Sequence, residues 1–143
     1  MEQASARPYS LPPGDGWTYN IGIDMIAKVG ELGQGRRVAV TEYTTRAGEE
    51  PGDHTHETED EMFYVLQGAV TFRCGDQTFE AAEGGFVFLP RGIRHGYQIR
   101  SAGDVRLLVV TAPAPQDGAP AGWGGFIADL ESGGELRRSP AQG

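Results

Sequence analysis

Cysteine, histidine and large aliphatic side chains are all scarce in this 143-residue chain, and each shortage excludes something. The one cysteine, Cys74, permits no internal disulfide, so the expected home is reducing and cytoplasmic. Twelve bases against twenty acids give a formal charge of −8, the wrong field for a nucleic-acid binder. Long hydrophobic runs are absent too. A stretch such as Val105–Val110 is broken by Arg106, and nothing approaches the ~20 apolar residues of a membrane helix. The first sixteen residues lack a charged-then-apolar leader pattern and carry Pro8, Pro12 and Pro13 instead.

Leu, Ile, Val and Phe total only 29 residues, which borders on disordered composition. They are unevenly placed, with 24 of the 29 falling between positions 21 and 112. That distribution predicts one domain over 21–112, preceded by an extension at 1–20 and followed by a Pro/Gly/Ala-rich tail at 113–143. Within the domain, apolar and β-branched residues alternate or cluster in blocks at 21–29, 38–45, 62–66, 69–73, 86–89, 97–100 and 105–111. Gly75-Asp76 and Gly103-Asp104 read as two-residue hairpin turns, and Gly33-Gln34-Gly35 as the turn of an earlier hairpin. No convincing helical period interrupts them. Many short strands with regular turns predict an all-β sandwich or barrel. In the tail, Trp123, Phe126, Ile127 and Leu130 follow helical spacing, predicting a short helix over 123–130. It would pack on the barrel, close over the pocket or contact a second copy. No phosphate loop or dinucleotide fingerprint is present.

The chain has three histidines, and all fall in two short glycine-bounded segments. In the first, between Gly48 and Gly68, His54 and His56 are two apart, which on a strand points both rings to one face. Glu61 follows five residues later and shares a strand face with Phe63 and Val65. In the second, from Gly84, the turn at Pro90-Gly92 is placed to swing His95 inward. Three imidazoles and a carboxylate are a donor set for a borderline divalent metal, Fe, Mn, Ni, Co, Cu or Zn. Calcium or magnesium would want more oxygens.

These segments match the two cupin motifs at every fixed position: G-x5-H-x-H-x4-E-x6-G from Gly48 to Gly68, and G-x5-P-x-G-x2-H from Gly84 to His95. The motif's usual terminal Asn is replaced by Ile99. The chain therefore resembles single-domain cupins. That resemblance implies a jelly-roll barrel, usually a homodimer, with one metal per chain held by His54, His56, Glu61 and His95. Trp17, the Glu-Asp-Glu before Met62-Phe-Tyr-Val-Leu66, and the aromatic tail resemble the quercetinase-like monocupins in particular.

If His95 faces inward, strand alternation turns Tyr97 and Ile99 inward with Phe63 and Val65, giving a partly apolar cavity suited to a flat ligand. Tyr97 is either a hydrogen-bond donor to substrate or a barrel-filling aromatic. Arg91 and Arg94 either greet an anionic substrate or are solvated loop charges. Seven of the thirteen residues Glu49–Glu61 are acidic; apart from Glu61 they read as a solvated loop that attracts cations. Cys74 has no free histidine to activate it as a nucleophile.

The resemblance implies a metal-dependent dioxygenase joining O₂ to a phenolic or enolic, flavonol-like compound, with Glu61 as base and Tyr97 beside the substrate. The alternatives are a redox-neutral isomerase, cyclase or lyase using zinc, and a non-enzymatic small-molecule-binding barrel.

Overall fold

A computed structural model describes residues 8–20, 22–29 and 38–113 of the chain. The described residues form nine strands and no helix: β1 (Trp17–Asn20), β2 (Asp24–Val29), β3 (Ala39–Thr45), β4 (Glu59–Gln67), β5 (Ala69–Cys74), β6 (Gln77–Ala82), β7 (Phe86–Leu89), β8 (His95–Ile99) and β9 (Val105–Pro113). All pairings are antiparallel. One sheet runs β1-β2-β3-β9-β4-β7 and the other β6-β5-β8, the two-layered jelly roll expected of the sequence. No helix among the described residues is long and apolar enough to cross a membrane.

Alternation builds the core. Phe63 and Val65 of β4, Val87 and Leu89 of β7, and Leu107 and Val109 of β9 point inward from the larger sheet. Val70 and Phe72 of β5 meet them with Ile99 of β8 from the smaller one. The rings of Phe63 and Phe72 stand 4.9 Å apart across the layers. The apolar blocks therefore locate seven of the nine strands. The other two are edge strands with little to bury: β1 is mostly exposed, and β6 buries only Ala81.

The chain changes sheet at Gly68, the single residue between β4 and β5. Its φ is +95°, and a Cβ there would stand 2.6 Å from Val105 Cγ2, so only glycine turns this corner. Gly75-Asp76 closes the β5–β6 hairpin as predicted, with Cys74 paired to Gln77 and Gly75 at φ +60°. Gly103-Asp104 is not a hairpin turn. It lies in the connection that carries β8 of one sheet to β9 of the other, so the turn residues serve a crossover. The proposed turn at Gly33-Gln34-Gly35 and the helix over 123–130 lie outside the described residues.

Candidate metal centre

His54 and His56 lie outside the nine strands. They sit in the extended segment between β3 and β4, and backbone hydrogen bonds hold that segment. His54 and His95 form a two-way bridge: the His54 amide donates to the His95 carbonyl at 2.9 Å, and the His95 amide returns the bond at 2.8 Å. The His56 carbonyl accepts from the Gly92 amide at 2.8 Å. The segment is thus stitched to β8 and to the Pro90–Gly92 turn, which brings both motifs together.

The acidic run, predicted to be a solvated loop, supplies several of these ties. Asp53 pairs with Arg73 of β5 at 2.6 Å. Asp60 accepts from the Arg91 amide at 3.0 Å, and Glu49 from the Arg46 amide at 3.1 Å. The Arg73 guanidinium holds the Asp53 carboxyl below its ordinary range, against the opposing effect of burial. Gly96 is the complement of this pair. A Cβ on it would fall 1.9 Å from Asp53 Oδ1 and 3.0 Å from an Arg73 nitrogen, so the pair occupies the space a side chain would need.

On this frame the four predicted side chains converge. One donor atom from each of His54, His56, Glu61 and His95 lies within 4.8 Å of every other. The two Glu61 oxygens divide between partners, Oε1 at 3.4 Å from His95 Nε2 and Oε2 at 3.5 Å from His56 Nε2. The imidazole centroids stand 4.7 to 5.3 Å apart. His54 Nδ1 lies 2.8 Å from the Gly52 carbonyl; as a donor to that oxygen it leaves Nε2 to the cluster.

Three features fit this cluster to a divalent metal. The closer donors stand little farther apart than neighbouring ligands of one ion, about 3 Å. His95 is 3 % exposed, yet neither ring nitrogen has a hydrogen-bond partner, an arrangement that costs stability unless something else binds there. Burial, with repulsion from His54 and His56, also depresses its pKa to about 4, so at neutral pH it is an uncharged ligand. Burial raises the Glu61 carboxyl, and His56 and His54 partly offset that rise. Three nitrogens and a carboxylate suit a transition metal or zinc.

The cluster opens onto a cavity of about 260 Å³. Its deep wall is Phe63, Tyr97 and Ile23, all buried, and Tyr43 flanks them half-buried. Exposed Gly22, Glu49 and Pro51 make the rim. Tyr97 and Phe63 line it as predicted, but Val65 and Ile99 do not. Both are buried in the closed core, because each lies two residues farther along its strand, away from the cluster. Tyr43 was not singled out in the sequence. Its neighbours Glu42, Thr44 and Thr45 are polar, so no apolar alternation marks its face. Burial and then Glu61 push the Tyr43 hydroxyl up to about 12, and burial raises Tyr97 similarly, so both phenols stay protonated donors. The Tyr97 hydroxyl is buried without a partner. Arg91 and Arg94 are exposed and outside the cavity lining, as solvated loop charges would be.

The chain is similar in sequence and fold to known proteins. The chain is 32 % identical over 78 residues to the uncharacterized protein SCO3923 of Streptomyces coelicolor, covering 54 % of this chain and 72 % of that one. It is similar in structure to TT1209 of Thermus thermophilus, with 34 % identity and a TM-score of 0.57 over 68 % of this chain and 90 % of that one. A predicted oxalate decarboxylase of Thermotoga maritima shares the fold at 20 % identity, with a TM-score of 0.58 over 64 % of this chain and 81 % of that one. Residues 41–111 match the cupin domain family, and they contain every member of the cluster. The motifs, the barrel and the family match agree, and the chain belongs to the cupin superfamily.

Proposed function

We propose that this protein is a metal-dependent, non-haem dioxygenase acting on a small phenolic or enolic compound with O₂, as its quercetinase-like sequence features suggest. The observation that carries the reading is the juxtaposition of the three-histidine, one-carboxylate cluster with a largely apolar cavity. His54, His56, Glu61 and His95 would hold the metal. When bound, it supplies Lewis acidity and the redox chemistry that O₂ requires.

The chain's own residues do the rest. Ile23 and Phe63 seat an apolar ring and exclude water from it. Glu61 is the buried carboxylate beside that seat, placed to accept the proton of a substrate hydroxyl. Tyr97 forms part of the wall against which the substrate packs, beside the cluster.

The same reading includes a cytoplasmic homodimer. Its support is an apolar outer face on the larger sheet, where Tyr64 pairs with Phe86 and Met62 with Phe88. Phe86 is 60 % exposed, Phe88 49 % and Tyr64 44 %, a patch of the kind that marks an interface.

Oxygen uptake by metal-loaded protein across a panel of phenols and enols tests the activity. Uptake with a ring-cleaved product supports it. Turnover that continues without oxygen assigns a redox-neutral isomerase, cyclase or lyase instead. Binding with no product under any condition assigns a binding barrel.

A further inference from the structure

We infer that Tyr43 positions the ligand in the cavity, its hydroxyl donating a hydrogen bond to a ligand oxygen other than the one that reaches the cluster. The inference rests on the cavity beside His54, His56, Glu61 and His95 being the ligand site proposed above. It adds to that site a specificity-determining residue that precedes both histidine motifs in the chain.

The residues around Tyr43 fix which way it points. Successive side chains of β3 alternate across the larger sheet. Glu42 turns outward, where it pairs with Arg106 of β9 and Lys28 of β2. Thr41 and Thr45 turn inward and are 8 % and 1 % exposed. Tyr43 stands between those two on the inward face and packs against the core. In the ladder its neighbours are Met25 of β2 and the fully buried Leu107 of β9.

The two threonines are closed in, but Tyr43 is only partly covered and belongs to the cavity wall. Its hydroxyl lies within electrostatic reach of the Glu61 carboxylate. The other phenol of the wall differs. The Tyr97 hydroxyl is buried without accessible surface, so Tyr97 offers the ligand its ring and not its donor.

A second polar contact has a definite use here. A ring held at the cluster through one hydroxyl is still free to turn about that anchor, and the apolar surfaces of Ile23 and Phe63 resist the turning little. A donor on a separate strand fixes it. Tyr43 comes from β3, whereas the cluster comes from the segment before β4, from β4 itself and from β8. A tyrosine suits the task, because its rigid ring presents a donor at low cost in conformational entropy.

The test is calorimetric binding to zinc-loaded full-length protein, because zinc is redox-silent and binding is then read without turnover. The probes are two matched pairs, 2-methoxyphenol with 2-ethylphenol and 3-methoxyphenol with 3-ethylphenol, in which a methylene replaces the acceptor oxygen. In at least one pair the methoxy compound should bind about fivefold more tightly. Tyr43→Phe should abolish that preference while zinc content and melting temperature stay unchanged. Tyr97→Phe should retain it. A purely structural role for Tyr43 would weaken both members of a pair alike and leave their ratio intact. No preference for a methoxy compound in either pair, a preference that survives Tyr43→Phe, or one lost in Tyr97→Phe would overturn the inference. Its failure is separable from that of the activity. Oxygen uptake equal in Tyr43→Phe and the parent, with no methoxy preference, keeps the dioxygenase and removes the role of Tyr43. A Tyr43-dependent preference with no oxygen uptake does the reverse.

Discussion

Replacing His95 by Leu should stabilise the metal-free protein while destroying its metal site, and the gain should grow as the pH falls. His95 is 3 % exposed with both ring nitrogens unpartnered, and burying such groups costs about 1–3 kcal/mol. Leu has a similar size and nothing to satisfy, so at pH 7.5 the variant should be more stable by about that amount. The pH term follows from linkage. The imidazole titrates near 6.5 in the unfolded chain and about 4 in the folded one. Between those values the unfolded state binds the extra proton, so stability falls as the pH drops from 6.5 through 4. At pH 5 the loss from this residue is about 2 kcal/mol relative to pH 7.5, from 1.36 kcal/mol per pKa unit. The raised carboxyl of Glu61 acts with the opposite sign and lies 3.4 Å from His95 Nε2, so the comparison is made in a Glu61→Gln background, which removes that contribution from both proteins. Urea unfolding of both metal-free proteins, followed by circular dichroism at the two pH values, measures the gap. It should widen by about 2 kcal/mol at pH 5. Parallel pH dependences, or a variant less stable at pH 7.5, would refute the reasoning.

Four further outcomes are expected. Glu61→Gln should lower turnover about 10²–10⁴-fold while the barrel stays folded, measured as kcat with circular dichroism as control; normal turnover would remove its role as base. Gly96→Ala should displace Asp53 from Arg73 and shift His54, weakening metal affinity about 10–100-fold by competition with a chelator, whereas unchanged affinity would mean the pair does not position the site. Adding metal at about a hundred times its dissociation constant should raise unfolding stability by about 2.7 kcal/mol, and chelation should reverse the gain. Phe88→Asp should convert a dimer to a monomer in sedimentation experiments if the outer face of β4 and β7 is the interface.

The clustering of His54, His56, Glu61 and His95 was legible in the sequence because histidine is rare here and its spacing is fixed by the turns around it. Gly48-to-Gly68 and Gly84-to-His95 each carry their own corner, and Gly68 shows why the spacing is rigid: a side chain there would strike Val105. The core strands were legible for a similar reason, since Phe63, Val65, Leu107 and Val109 alternate with more exposed partners. The edge strands β1 and β6 were not, because they bury too little to leave a period. What turns His54 and His56 the same way off any strand was hidden as well. Their shared direction comes from the bridge to His95 and the bond to Gly92, contacts made across about 40 residues of chain that no local pattern encodes. Tyr43 escaped for its polar neighbours, and the roles of Asp53 and Asp60 because a run of acids reads as solvent-facing until its partners Arg73 and the Arg91 amide are placed.

Elemental mass spectrometry on untagged full-length protein, compared with His54→Ala/His56→Ala, tests the central claim most directly. About one equivalent of a divalent transition metal or zinc per chain, lost in the double variant, is the predicted result. No metal after reconstitution, or the same content with both histidines removed, would contradict the account.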